Sequence, residues 1–188
     1  MFWKKDEPVA VHGVLFYGLL SKKQRAILKE IEKVTPPEAW NGVKGVYCLG
    51  SVKVQGRDVL GVYYGQFPKQ TSAKKQALHF EINYKKYTVK ECPIVFIDTM
   101  KNKKAHQFAF IVLHELGHHV DRTQNQVVLR EGNKQQELFA NTYAIEHFLQ
   151  IEGMESKQLY NIPYLQEAIQ QYQQVHSPLR SPLTLRVE

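Results

Sequence analysis

The pentapeptide HELGH at positions 114–118 constrains the chain more than any other feature. It lies inside the run 108–120, which is otherwise almost wholly apolar and predicts an interior helix. Because an α-helix advances about 100° per residue, positions four apart return to nearly the same face. His114 and His118 can therefore present two imidazoles to one divalent cation. Glu115 lies about a quarter-turn away, within reach of a water molecule held by that cation. Two imidazoles, a carboxylate and an open coordination position are what a catalytic zinc site needs.

A second interpretation of the same pattern is a core helix whose histidines hydrogen-bond to the backbone. His114, His118 and His119 lie together with Glu115 in one apolar helix, and such groups are costly to desolvate without partners. A metal ion supplies that partner, so the pattern favours a metal site with Glu115 as the general base.

A zinc site needs a third protein ligand, and Glu137 is the candidate. It lies in a second predicted helix at 134–150, where apolar residues recur at helical spacing. The linker 123–133 is polar and contains a Gly-Asn turn signal. Two antiparallel helices joined by this linker would place Glu137 opposite the histidines. Asn141, one turn beyond Glu137, is predicted to hold the free ring nitrogen of a liganding histidine.

Other residues compete with Glu137, which can also be a solvated helix carboxylate. His147 is then the most credible substitute ligand. Glu131 lies too near the turn, and Glu146 lies about 180° around the helix from Glu137. His119 is adjacent to a predicted ligand and points elsewhere.

Two further roles are expected at such a site. Asp121 follows His118 by one helical turn and is predicted to orient a ligand, although a surface ion pair with Arg122 explains it equally well. A donor is also needed for the oxyanion that forms during hydrolysis. The sequence does not single out this donor, and its candidates are His147, Tyr143, Tyr172 and His176.

The stretch 110–141 resembles the ImmA/IrrE family of zinc metallopeptidases. The family pattern is an apolar helix ending in HELGH, followed by Glu-x-x-Ala-Asn in the next helix. This chain has HELGH at 114–118 and ELFAN at 137–141, and the strand-like segment 94–98 also fits. The resemblance covers roughly residues 93–150. HELGH is shared by many zincins, whereas Glu-x-x-Ala-Asn narrows the choice. The family often has a further histidine after HELGH, where this chain has Asp-Arg at 121–122.

The resemblance implies an intracellular protease with one zinc ion per chain. Its expected substrate is a partner repressor of mobile-element or stress-response genes, such as a helix-turn-helix protein. Two other interpretations stay open: a zinc peptidase of another zincin branch with a different substrate, and a non-catalytic zincin-fold module that acts as an antirepressor by docking. The retained Glu115 disfavours the last, because a docking module needs no general base.

Length and composition set the context for this site. The 188 residues predict a single domain at 1–188, with the motif region at about 93–150 and an extended tail at 177–188. Hydrophobic residues make up 43% and charged residues 23%, which is typical of a soluble globular protein. Cys48 and Cys92 do not form a CxxC pair, so we expect reduced thiols and a cytoplasmic location.

The net charge of +7 favours acidic partners or proximity to nucleic acid. No helix-turn-helix, zinc-finger or aromatic RNA-binding motif accompanies it, so direct sequence-specific binding of nucleic acid is not predicted. The lysines can instead be solvated turn and strand-edge residues. The apolar segment 9–20 lacks a cleavage site and is too short to span a bilayer, so it predicts a buried strand or hairpin, and no membrane segment is expected.

The pattern of the whole chain predicts an α+β fold, with a small, mainly antiparallel sheet packed against zincin-type active-site helices. Ser21 and Gln24 form a predicted capping box for a helix that ends before the prolines at 36–37. The remaining predicted elements are two strands within 47–64 around a turn at 55–58, strands at 77–83 and 94–98, and a last helix at 161–174.

Overall fold

The computed structural model describes residues 7–66, 77–82, 85–126, 133–162 and 165–176 of the chain. The predicted extended tail at 177–188 and most of the predicted linker between the two site helices lie outside these residues.

The described residues confirm the α+β prediction. The strands are β1 (Val9–Val11), β2 (Val14–Gly18), β3 (Val46–Leu49), β4 (Val52–Val54), β5 (Arg57–Val59), β6 (Gly61–Tyr64), β7 (Leu78–Ile82), β8 (Lys85–Val89) and β9 (Ile94–Asp98). The helices are α1 (Lys22–Val34), α2 (Ala105–Gln124), α3 (Lys134–Phe148), α4 (Ser156–Tyr160) and α5 (Gln166–His176), with a short 3-10 helix at Pro37–Trp40.

Five strands form the main sheet in the order β1-β2-β3-β9-β6. The outer pairs β1-β2 and β6-β9 are antiparallel, and the inner pairs β2-β3 and β3-β9 are parallel. The hairpins β4-β5 and β7-β8 are also antiparallel. Most pairings are thus antiparallel, as predicted, around a parallel centre.

The central strand β9 is buried on both faces. Val95 and Ile97 join the core formed with the helices, whereas Ile94 and Phe96 join a second cluster that includes Phe80 of the β7-β8 hairpin. A strand covered on both sides needs apolar residues at every position. This explains the unbroken apolar run that ends at Asp98, before helix α2 begins at Ala105.

Local signals in the sequence predicted several elements correctly. The Ser21 hydroxyl accepts from the Gln24 amide at 3.2 Å, and the Gln24 side chain accepts from the Ser21 amide at 2.9 Å, which confirms the capping box. The segment 9–20 forms the predicted hairpin, β1-β2. None of the described helices is both long and apolar enough to cross a membrane.

The prediction of two strands within 47–64 was wrong, because this segment holds four. The hairpin turn is where it was expected, since Gln55 and Gly56 have φ angles of 50° and 78°, as a tight two-residue turn requires. The strands around it are short because β3 and β6 join the main sheet while β4 and β5 pair only with each other. Strand β8 and helix α4 were not predicted, and α5 begins at Gln166, later than expected.

Candidate metal centre

Helix α2 carries the HELGH motif through the middle of the protein. Twelve of its residues are buried, and they lie around most of its circumference. A helix that is apolar on nearly all sides is stable only when it is enclosed by other elements. The main sheet and α1 pack on α2 from one side and α3 from another. The HELGH residues are therefore held on a rigid element.

Close packing of α2 on α3 brings the two halves of the motif together. Gly117 is the contact point, because a Cβ atom at this position would lie only 2.8 Å from the Cα of Ala140. Asn133 starts α3, and its side chain accepts from the Gln135 amide at 3.0 Å. The small residues Gly117 and Ala140 thus allow α2 and α3 to pack closely. This close packing brings the histidines of HELGH near the glutamate of ELFAN.

His114, His118 and Glu137 converge as predicted. The carboxylate oxygens of Glu137 lie 3.5 Å from the Nε2 atom of His114 and 3.5 Å from the Nε2 atom of His118. One ligand atom from each of the three residues lies within 4.8 Å of the others. This is the one group of three or more potential metal ligands found within the described ranges. Two imidazole nitrogens and one carboxylate form a donor set that suits zinc.

The group is open on one side. The side chains of His114 and His118 are 13% and 14% exposed, whereas that of Glu137 is 51% exposed. The histidines thus lie at the bottom of the site and the carboxylate at its rim. A fourth coordination position facing solvent is what separates a catalytic zinc site from a structural one.

Asn141 holds His114 in the orientation that metal binding requires. The Nδ1 atom of His114 lies 3.0 Å from the Asn141 side-chain oxygen. An amide oxygen can only accept, so Nδ1 carries a hydrogen, which leaves Nε2, on the side of Glu137, as the atom that would bind a metal ion. The predicted role of Asn141 therefore has the expected geometry.

We expect Asn141→Ala to weaken zinc binding by about ten- to a hundredfold, because His114 loses the partner that fixes its ring. Competition with a zinc-binding dye measures this affinity. Asn161→Ala, at the exposed end of α4, is the control and should bind zinc like wild type. Equal affinity in Asn141→Ala and wild type would show that the hydrogen bond does not orient the ligand.

The charges at the site balance one another. Burial alone would lower the pKa of His114, but the nearby Glu137 and Glu115 carboxylates outweigh it and raise that pKa. Burial, together with the charge of His114, lowers the pKa of His118 to about 4. The hydrogen bond with His114 lowers the pKa of Glu137. One imidazole is thus neutral and the carboxylate ionised, and those are the forms that bind a metal ion.

Glu115 lies beside this group, between α2 and the edge strand β6. Only 5% of Glu115 is exposed, and burial raises the pKa of its carboxyl to about 7. A general base works best when its pKa lies near the working pH. On the β6 side, a Cβ atom at Gly61 would lie 2.6 Å from Oε1 of Glu115. Neither this glycine nor the neighbouring Tyr63 was identified from the sequence.

Three of the competing ligands, His119, His147 and Glu146, are not in this group. His119 is 1% exposed and bonds through Nε2 to the Asn41 carbonyl oxygen at 2.9 Å. The Nδ1 atom of His147 donates to the Tyr143 carbonyl oxygen at 2.9 Å, and His147 is not in the ligand group. Glu146 is also outside that group. Glu131 lies outside the described residues.

Asp121 is buried and accepts a hydrogen bond from the Asn125 side chain at 2.8 Å. The hydrogen bonds found in the described part of the chain include none between Asp121 and His118. The predicted role of Asp121 in orienting a ligand stays a prediction, as does the alternative ion pair with Arg122.

Among the described residues, none of the candidates is identified as the oxyanion donor. Tyr143 and His147 stack on each other, with ring centroids 4.1 Å apart. They follow Asn141 by about 200° and 240° around α3, so they lie on the other side of that helix. The Tyr143 hydroxyl is buried and has no hydrogen-bond partner within the described residues. Tyr172 packs against the core on α5, and the side chain of His176 lies outside the description, so the oxyanion donor stays open.

Comparisons of the chain with protein-family models, with curated proteins and with solved structures gave no match.

Proposed function

We propose that this protein is a zinc-dependent endopeptidase that acts in the cytoplasm and cleaves a specific regulatory protein, such as a helix-turn-helix repressor. The site supports the reaction class, and the resemblance of residues 110–141 to the ImmA/IrrE family supports the substrate class. The observation that carries the proposal is the convergence of His114, His118 and Glu137 from two helices, with the carboxylate of Glu115 beside them.

A zinc ion held by these three residues would polarise the scissile carbonyl and lower the pKa of a water molecule. Glu115 accepts one proton from that water as its oxygen adds to the carbonyl carbon. As the C–N bond breaks, Glu115 returns the proton to the leaving amine nitrogen. The pKa of about 7 suits a group that must first accept a proton and then donate it.

The surroundings of the site support a protein substrate. The exposed side of the Glu137 carboxylate leaves room for a large molecule to approach the ligand group. The net charge of +7 favours an acidic partner. Among the residues described, the edge strand β6 carries no further strand on its outer side, so an extended segment can pair there, which is an analogy with other zincins.

The test is to incubate the zinc-loaded protein with candidate regulators, beginning with any helix-turn-helix protein encoded beside its gene, and to map the products by mass spectrometry. We expect one cut site, and no cleavage after zinc is removed with a chelator. Casein serves as the unselective substrate. Digestion of casein at many sites would count against a narrow regulator protease, and absence of cleavage in every regulator tested would count against the substrate class.

A further inference from the structure

We infer that Tyr63 is a positioning residue for Glu115: its side chain fastens β6 to α2, which places its own main-chain amide where it can hydrogen-bond to the Glu115 carboxylate. The inference rests on the proposed function, because it gives Tyr63 a part in the proposed hydrolysis.

The direction of the β6 main chain places this amide at the site. The Leu60 carbonyl accepts from the Asp98 amide at 2.9 Å, so the main-chain groups of residues 60, 62 and 64 face β9. The groups of Gly61 and Tyr63 point the other way, to the edge that passes α2. No described strand pairs with that edge, which leaves the Tyr63 amide available to a side chain.

The approach of β6 to α2 depends on Gly61. A Cβ atom there would lie 2.6 Å from Oε1 of Glu115 and 2.8 Å from Cγ2 of Ile111. Those separations are shorter than van der Waals contact, so only glycine allows the strand to lie at this distance. The Glu115 carboxylate is therefore confined between its own helix and β6.

The Tyr63 phenol anchors the strand to the same helix. Its oxygen lies 2.9 Å from Nδ1 of His119, whose Nε2 lies 2.9 Å from the Asn41 carbonyl oxygen. A carbonyl only accepts, so Nε2 carries the hydrogen, and Nδ1 accepts from the Tyr63 hydroxyl. Arg122 lies close enough to the phenol to oppose the rise in the pKa of Tyr63 that burial causes. The neighbours of the phenol oxygen, His119 and Arg122, thus both belong to α2.

The helical spacing shows why one residue can make all these contacts. Glu115, His119 and Arg122 follow one another at four and three residues, so they form one stripe on α2. In the inferred arrangement the Tyr63 amide faces Glu115 at the start of this stripe, and the phenol bonds to His119 and lies near Arg122. A carboxylate that accepts the Tyr63 amide has a restricted rotation and keeps its remaining lone pairs for the proton of the attacking water. Such pre-orientation of a reacting group raises kcat more than it changes KM.

The first test is Tyr63→Phe, which keeps the ring and the main-chain amide and removes both contacts of the phenol oxygen. We expect kcat for the mapped substrate to fall about tenfold while KM stays within about twofold, with zinc content unchanged. The matched control is Tyr160→Phe, which removes an exposed hydroxyl that accepts from Gln173 at 2.8 Å, away from the site. This control should keep both constants. A variant Tyr63→Phe that melts at a lower temperature but keeps kcat would show a structural role only and overturn the inference.

The second test does not depend on activity. Hydrogen exchange followed by NMR should find the Tyr63 amide protected in wild type, although it lies at an unpaired strand edge. Protection should be lost in Glu115→Ala and reduced in Tyr63→Phe. A wild type that cleaves nothing but shows this pattern would end the proposed function and leave the contact standing. A Tyr63 amide that exchanges equally fast in wild type and Glu115→Ala would overturn the inference. If Tyr63→Phe does not fold, Arg122→Met removes one contact of the phenol and gives the same comparison.

Discussion

Glu115→Gln is expected to retain one zinc ion per chain and to lose cleavage of the regulator by about 10²- to 10⁴-fold in kcat, the range that general acid–base catalysis contributes. The amide has nearly the shape of the carboxylate, so the packing between α2 and β6 is preserved. It cannot take up the proton of the water, so the addition to the carbonyl carbon lacks its base. Elemental analysis measures the zinc content, and single-turnover kinetics measure the rate of cleavage.

Glu152→Gln, at an exposed position after α3, is the matched control and should cleave like wild type. The outcome also separates an enzyme from a docking module. If Glu115→Gln relieves repression or removes the regulator as well as wild type does, the protein acts by binding and not by hydrolysis.

Glu137→Gln should lower the zinc affinity more than Asn141→Ala does. Glu137 is the only acidic ligand of the group, and its removal takes away both a coordinating oxygen and the negative charge that offsets the cation. The loss should exceed the roughly hundredfold upper range expected for residues that only orient a ligand. Dye competition measures the affinity, and cleavage should fall in parallel at limiting zinc.

Glu146→Gln is the control on the same helix, since Glu146 lies about 180° around α3 from Glu137 and outside the ligand group. Its zinc affinity should equal that of wild type. Unchanged affinity in Glu137→Gln, together with a loss in His147→Ala, would identify His147 as the third ligand and contradict the arrangement described above.

The convergence of His114, His118 and Glu137 could be predicted from the sequence because each half of the group depends on helical periodicity. The spacing between His114 and His118 fixes their common face, and the spacing between Glu137 and Asn141 fixes theirs. What remained was one packing contact between two helices, and Gly117 and Ala140 make that contact close. The regular spacing within two helices, together with one contact between them, was therefore sufficient to predict that the three side chains meet.

The surroundings of Glu115 could not be predicted in the same way. The contact that we infer between Glu115 and the Tyr63 amide joins residues 52 positions apart, and it depends on the register of β6 against β9. The sequence pattern merged β6 into a longer strand, and a strand shifted by one residue would turn the Tyr63 amide toward β9. Neither Gly61 nor Tyr63 belongs to a recognisable motif, so only the three-dimensional arrangement reveals them.

Strand β8 and helix α4 were missed for a related reason. The alternation in β7 was readable, but its partner β8 begins with two lysines, which are uncommon in strands. Its last three residues, Tyr87, Thr88 and Val89, favour a strand. Its pairing with β7 and the packing of Tyr87 against Phe80, with ring centroids 5.6 Å apart, stabilise it further. Helix α4 spans only Ser156–Tyr160, too short for a periodic pattern to be detected.

A crystal structure of the zinc-loaded protein, with anomalous data collected on both sides of the zinc absorption edge, would locate the metal ion and its ligands. We predict one anomalous peak per chain, within bonding distance of Nε2 of His114, Nε2 of His118 and a carboxylate oxygen of Glu137. A peak that lacks Glu137 as a ligand, or zinc bound only at other residues, would contradict the account.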